Sequence, residues 1–315
     1  MRPRRIIAVI FLAVLVIAAI YRLTPREPEY KGRSLSSWLQ VLDDGQRYNG
    51  LPWQAWEQKP GRTEAGEAIR QMGTNTMPYL FHALTNQDSA LKKKFIALLG
   101  KQTHVKIPIH LAEDDRRTAE LAFHALGPAA SNAVPEMRKL LEDTDPSGND
   151  FNGYIASALA GIGPEGWGAL TQALKSSNSW VTVCSSWALG SHRAAVPGTV
   201  DALINQVTNT TSGGSAALAQ WALAAIGQDS GRVVPVLIHS LQSSSASDVR
   251  WSAAQALGTF GTNAQSAVPA LLDALQDPDL RVRGNAKTAL KLIAPDAPSG
   301  AEPSEDYEHP AGGKH

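Results

Sequence analysis

One interval from glycine to proline recurs along this chain: Gly127 to Pro135, Gly227 to Pro235 and Gly261 to Pro269. The step from Gly227 to Gly261 equals that from Pro235 to Pro269, a period of about 34 residues, in the range that marks repeat architectures. The surrounding text repeats as well. "AALAQWALAAIGQDSGRVVPVLIHSLQS" and "VRWSAAQALGTFGTNAQSAVPALLDALQD" each give an alanine-rich stretch, a glycine, a short polar link, a Val-Pro pair and a second apolar stretch. A looser copy runs from Gly190 to Pro197, and one around Gly163 lacks the second proline. A unit this small cannot bury enough apolar surface to offset its own ordering entropy, so the copies must stack on one another along a shared core.

The periodicity inside each copy is helical. Apolar residues fall at i, i+3, i+4 and i+7 in the second stretches (Val234, Leu237, Ile238, Leu241; Val268, Leu271, Leu272, Leu275) and in a first stretch (Ala119, Ala122, Phe123, Leu126). That spacing draws one apolar stripe along a helix. Proline suits the start of a second helix, where its missing N–H would be unpaired anyway. Glycine suits the end of a first helix, where a left-handed residue terminates it. At Asp277-Pro278 the same logic makes the aspartate the expected cap of the next helix.

These residues resemble a known family. The pattern D-x-D-x-R-V-R…A…AL from Asp277 to Leu290, with "SDVRWSAAQALGTFG…AVPALLDAL" and "LAFHALGPAASNAVPEMRKLL", is similar to the bacterial HEAT-like repeat, the type also found in bilin lyases. The resemblance covers residues 117–293, and more weakly 65–84. It implies an all-α solenoid of about six helical hairpins. It also implies ion pairs between neighbouring repeats at Asp248 and Arg250 and at Asp279 and Arg283.

The flanks read differently. Arg2, Arg4 and Arg5 (residues 1–5) precede an apolar run over residues 6–23, about 27 Å long as a helix and so near a bilayer's hydrocarbon thickness. The expectation is a single membrane-spanning signal anchor with the bulk of the chain outside the cytoplasm, in the periplasm; the alternative is a cleaved signal peptide and a secreted product. Residues 24–33 form a linker with Pro25 and Pro28. Residues 34–116 form an amino-terminal cap and an irregular repeat: Ser34 caps a helix bearing Leu35, Trp38, Leu39 and Leu42, and residues 90–113 are an insertion. The solenoid occupies residues 117–293. Residues 294–315, rich in proline, glycine and charge, lack the apolar content to build a core and are expected to be a disordered tail.

Chemistry is harder to find. Lysine plus arginine equals aspartate plus glutamate at 29 each, so nothing advertises a nucleic-acid partner. Cys184 is the only cysteine, which rules out an internal disulfide. Its apolar setting reads as a buried thiol. His104, His110, Glu113, Asp114 and Asp115 cluster in sequence without a metal-binding spacing. No catalytic, cofactor or metal site is assigned. The candidates that remain are tryptophans. Trp53 and Trp56 in the loop before residue 62 would anchor a partner if exposed and close the loop if packed. Trp187, Trp221 and Trp251 lie on successive first helices, at unequal distances before Gly190, Gly227 and Gly261, and either line a binding face or pack between helices. The reading is a membrane-anchored, non-catalytic scaffold that binds another protein. The alternatives are an enzyme of the HEAT-like lyase type and a binder of envelope glycans or peptides.

Overall fold

A computed structural model describes residues 27–43, 61–89, 92, 94, 111–143, 151–210 and 212–295. The apolar run at 6–23, the tryptophans Trp53 and Trp56, most of the 90–113 insertion with His104 and His110, and the tail beyond Pro295 lie outside them. Among the described residues no helix is long and apolar enough to cross a membrane. The chain divides into two compact units, 1–129 and 130–315.

The first unit opens with a short hairpin, β1 (Glu29–Tyr30) against β2 (Arg33–Ser34), antiparallel with Tyr30 opposite Arg33. The linker expected over residues 24–33 is therefore partly ordered. Lys31 and Gly32, at φ 50° and 72°, make a two-residue turn with positive φ at both positions, the turn whose twist matches paired strands. Helix α1 (Leu35–Leu42) follows, capped as expected: the Ser34 Oγ accepts from the Ser37 N–H at 3.4 Å. Trp38 is buried, donates its Nε1–H to the Tyr30 carbonyl at 3.2 Å, and has the Arg33 guanidinium 4.1 Å from its ring centre. Helices α2 (Arg62–Met72) and α3 (Met77–Thr85) form a hairpin with Pro78 in the first turn of α3. Helix α4 (Ala112–Leu126) packs on α1, α2 and α3, with Phe123 meeting Phe81 edge to face at 6.0 Å. Helix α4 starts ahead of the expected domain boundary at 117.

The second unit is built from helices in two rows. The first helices are α6 (Phe151–Ile162), α8 (Ser179–Ser191), α10 (Gly213–Ile226), α12 (Ser247–Thr259) and α14 (Leu280–Ile293). The second helices are α5 (Val134–Glu142), α7 (Pro164–Ala173), α9 (Thr199–Asn209), α11 (Ser230–Ser243) and α13 (Val268–Ala274). Each first helix packs on the next first helix, and each second helix on the next second helix. Between the rows lies a core of leucine, valine, isoleucine and alanine, including Ile155, Leu159, Leu189, Leu203, Leu223, Leu237, Leu257, Leu271 and Leu290. The fold is all-α and repetitive, as the sequence implies.

Several punctuation marks act differently from their sequence reading. Pro135 and Pro269 do begin α5 and α13, but Pro235 lies inside α11, because the link after Gly227 turns helical as early as Ser230. The corresponding links Gly127–Ala133 and Gly261–Ala267 are 3-10 turns. Gly227 is a left-handed terminator at φ 69°, whereas Gly190 stays inside α8 and Arg193, at φ 49°, turns the chain after it. The cap of α14 is Asp279, which accepts from the Arg281 N–H at 2.8 Å; Asp277 instead accepts from the Asp279 N–H at 2.9 Å. Gly213 and Gly214 open α10 behind Ser212 as cap.

Candidate interaction surface on the first helices

Helical spacing and burial together define one solvent-facing stripe per first helix. On α8 it comprises Trp180, Val183, Trp187 and Ser191, at i, i+3, i+7 and i+11. The same four offsets give Gly214, Ala217, Trp221 and Ala225 on α10, then Asp248, Trp251, Gln255 and Thr259 on α12. On α14 they give Arg281, Gly284, Thr288 and Leu292. Every one of these residues is exposed or half-buried, while the flanking positions Cys184, Leu223 and Leu257 are buried. Successive stripes follow one another at the period of the sequence repeat, shortened by a single position at the last step.

Trp187 and Trp221 occupy the same position of adjacent stripes. Counting back from the nearest glycine hides this, because Gly190 and Gly227 do different jobs. Trp251 lies one turn lower on α12, and Trp180, which the sequence reading missed, two turns below Trp187. The signal for Trp180 was its i to i+7 relation to Trp187, a helical repeat. Trp180 and Trp187 are 43% and 41% exposed, the most solvent-accessible aromatic residues described, and Trp221 and Trp251 are half-buried. Two turns of helix separate Trp180 from Trp187 by about 10 Å, and packed helices lie about 8–10 Å apart. The four indoles therefore form a patch with neighbours roughly one helix diameter apart. Its charged members are Asp248 and Arg281, which pair at 3.0 Å and neutralise each other.

Close helix contact fixes the spacing of neighbouring stripes. A Cβ built on Gly190 would sit 2.5 Å from Cζ3 of Trp221 and 2.9 Å from the Ala222 Cα, so the Trp221 ring rests on α8 where glycine leaves room. Gly258 plays the same part more loosely, its virtual Cβ 3.1 Å from the Ala289 Cα. The Ser252 Oγ donates to the Ala217 carbonyl at 2.7 Å across α12 and α10. Cys184 is buried beside the patch, as its apolar setting implied.

Charge sets the register at the helix ends. Arg250 forms a bidentate pair with Asp277 of the next repeat at 2.7 and 2.9 Å, and both side chains are largely buried. The Arg250 guanidinium beside Asp277 holds that carboxyl below its ordinary value against the opposing effect of burial. The same arginine donates to the Ser244 and Ser245 carbonyls at 3.0 and 3.1 Å, closing the end of α11. Arg283, at the equivalent position of the next repeat, donates to the Asp277 and Pro278 carbonyls in the same manner. Asn152 does this for the Leu141 carbonyl, as does Arg116 in the first unit for Asn86. These groups satisfy carbonyls that a helix terminus leaves without a partner. The pairing expected of Asp248, Arg250, Asp279 and Arg283 is thus redistributed: Asp248 meets Arg281, Arg250 meets Asp277, Asp279 meets Arg281, and Arg283 serves backbone.

The second helices present a polar face. Arg138, Gln172 and Gln206 recur at the repeat period. Arg138 donates to the Gln172 Oε1 at 2.7 Å, and Gln206 donates to the Leu174 carbonyl. A cleft of about 740 Å³ between α7 and α9 is lined by Thr171, Gln172, Lys175, Asp201, Asn205 and Gln206 among others. Nothing in it pairs a nucleophile with a base. Among the described residues no group of three or more histidine, cysteine, aspartate and glutamate side chains is arranged to hold a metal ion. Glu113, Asp114 and Asp115 belong to the first turn of α4. There Asp114 accepts from the Leu111 N–H and pairs with Arg117 at 2.9 Å, and Asp115 accepts from the Asn86 amide at 2.6 Å.

The family model for HEAT repeats matches residues 200–291, the span from α9 through most of α14. This region is a run of HEAT repeats. No curated protein matches the sequence. Among solved structures the chain is similar to the karyopherin Kap121p, with a TM-score of 0.48 and 17% identity over 82% of this chain and 29% of that one. Kap121p bound to Pho4p gives a TM-score of 0.44 at 18% identity with the same coverage. Human deoxyhypusine hydroxylase in complex with glycerol gives 0.34 at 19% identity, over 82% of this chain and 95% of that one. The chain spans less than a third of Kap121p's length.

Proposed function

We propose that this protein is a non-catalytic HEAT-repeat scaffold that binds a protein partner through the tryptophan face of its first helices. The observation that carries this reading is the uncovered aromatic patch of Trp180, Trp187, Trp221 and Trp251, two of whose indoles, at 43% and 41%, are well exposed on a rigid helical row. Indole side chains that stay in water at a fixed spacing cost solubility, and their usual return is binding energy: tryptophan is among the residues that dominate interface energetics. Because Asp248 and Arg281 cancel, the patch fits an uncharged, apolar partner surface. Binding to it should then change little with ionic strength. Residues 6–23 supply the membrane tether in this reading, with the repeats outside the cytoplasm; this part rests on the arginine-flanked apolar run alone.

Photo-crosslinking residues placed in cells at positions 187 and 221, with position 232 on the second-helix row as control, test the reading. A discrete protein adduct at 187 and 221 that is absent at 232 supports it. Its affinity should fall at least about 30-fold in Trp187→Ala/Trp221→Ala, the loss of about 2 kcal/mol expected of a hot spot. Equal adducts at all three positions, or binding of isolated envelope glycan by the purified protein in place of any protein partner, overturns it. Extraction of the membrane fraction with alkaline carbonate tests the tether: the chain stays with the membrane, and a variant lacking residues 1–23 does not.

A further inference from the structure

The described residues include six tryptophans, and the bonding of their indole N–H groups divides them. Trp38 donates its Nε1–H to the Tyr30 carbonyl at 3.2 Å, and Trp167 donates its own to the Ala160 carbonyl at 2.8 Å. The indoles of Trp180, Trp187, Trp221 and Trp251 donate to no acceptor among the described residues. Trp180 and Trp187 are exposed, and the Nε1 atoms of the half-buried Trp221 and Trp251 still reach solvent. The face thus joins apolar rings to four free donors, and an indole has no acceptor of its own. Between the rings, Val183, Gly214, Ala217 and Ala225 carry no polar side-chain atom. At the edge, the Asp248 carboxylate is taken by Arg281. This surface offers apolar area and donors, and it lacks acceptors.

A protein segment that answers such a surface has free carbonyls, apolar bulk and few N–H groups. Proline has a carbonyl and no N–H, and the polyproline II form leaves every carbonyl without an internal partner. An α-helix spends its carbonyls on its own N–H groups, and a sugar hydroxyl brings a donor with each acceptor. The spacing agrees. Trp180 and Trp251 stand on α8 and α12, either side of α10, so two helix spacings put them about 16–20 Å apart. Polyproline II rises about 3.1 Å per residue with three residues per turn, so residues i and i+6 share an edge at about 19 Å. Gly214 and Ala217, small residues on α10, floor the path between the two rings, and Trp221 follows one turn after Ala217. Resting on the reading that this face binds a protein, we propose that the segment it binds is proline-rich. It lies across α8, α10 and α12 in the polyproline II form, with its carbonyls accepting from the indole N–H groups. Such a segment is extended before it binds, so little ordering entropy is lost on docking.

Titrating the full chain, labelled with nitrogen-15 at its indoles, with a blocked nine-proline peptide tests this. The indole N–H signals of Trp180, Trp187, Trp221 and Trp251 should move, while those of Trp38 and Trp167 stay in place. The affinity should exceed that of a blocked glycine-serine peptide of equal length by at least about 10-fold. Trp180→Phe/Trp251→Phe keeps aromatic area and removes two donors. It should weaken the nine-proline peptide about 10-fold with helical content unchanged, the worth of two net hydrogen bonds. Equal binding of the glycine-serine peptide, an affinity that survives both phenylalanines, or tighter binding of an uncharged alanine-based helical peptide would each overturn the proposal. These three results leave the photo-crosslinks at 187 and 221, and the wider reading with them, unaffected. Tighter binding of a chitin oligosaccharide would overturn both.

Discussion

Replacing Gly190 by alanine adds one methyl group where α8 meets α10, and the structure specifies what that methyl would strike. It would sit 2.5 Å from Cζ3 of Trp221, 3.0 Å from Cε3 of the same ring and 2.9 Å from the Ala222 Cα, against about 3.5–4.0 Å for a comfortable carbon contact. The ring could swing, but the Ala222 Cα is backbone, so the helices must part by most of an ångström. Overpacking of this kind costs about 1–3 kcal/mol, and the better helix propensity of alanine returns at most about 1 kcal/mol, less near the end of α8. The net expectation is a loss of about 1–2 kcal/mol.

Other helical glycines make this a graded series. A Cβ on Gly168 would meet nothing within 4 Å among the described residues beyond its own helix, so Gly168→Ala should stabilise by about 1 kcal/mol. Gly258, with Ala289 3.1 and 3.2 Å away, should give a change near zero. Gly166, whose virtual Cβ lies 1.8 Å from the Leu159 carbonyl oxygen, should lose about 3 kcal/mol or more, because α6 and α7 are joined through Gly163 alone and cannot separate. Urea unfolding followed by tryptophan fluorescence and far-UV circular dichroism gives the order. If Gly190→Ala were as stabilising as Gly168→Ala, the first helices would not be in the contact described, and the reasoning would be wrong.

Three more expectations follow from single residues. Gln220 is fully buried on α10 with neither amide atom hydrogen-bonded among the described residues, so Gln220→Met should raise stability by about 1–3 kcal/mol in the same urea assay; a loss would mean the amide is satisfied. Arg250→Met leaves the Asp277 carboxylate largely buried without its countercharge and should cost about 3 kcal/mol at pH 7. That cost should shrink as the pH drops and Asp277 protonates, since the pair's contribution exists above the unfolded carboxyl pKa and is lost as pH falls through the lowered folded one. Burial lowers the His192 pKa in the fold, so the folded chain holds this proton less tightly than the unfolded chain, where the ordinary pKa is about 6.5. Stability should therefore decline from pH 7.5 to 5.5 and decline less in His192→Gln, and identical pH profiles for the two proteins would refute this assignment.

The repeat was legible because glycine and proline act through the backbone, and their spacing needs no knowledge of partners. What the sequence could not disclose depends on neighbours. Gly190 looks like a terminator, yet its role is to admit the Trp221 ring, a contact with the next repeat. Asp277 looks like a cap because proline follows it, but Arg250 of the preceding repeat claims its carboxylate and Asp279 caps instead. Pro235 matches Pro269 in sequence and not in structure, since Ser230 already starts α11. The tryptophans were picked out by residue type. That Trp187 and Trp221 share one register, and that Trp180 joins them, emerged only once stripes were counted by the repeat period. The polar ladder of Arg138, Gln172 and Gln206 is legible on the same period, although nothing in the three residue types alone points to a chemistry.

The central claim is that successive repeats pack first helix against first helix at this register, and one covalent bond can test it. A Cβ on Gly213 would lie 3.6 Å from the Cβ of Ala246, within the span of a disulfide. The variant Gly213→Cys/Ala246→Cys, with Cys184→Ser to remove the native thiol, should close this bond within one chain under mild oxidation, resist urea better when oxidised, and leave the helical content unchanged. If the two thiols remain free, or link only one chain to another, the stacking described here is contradicted.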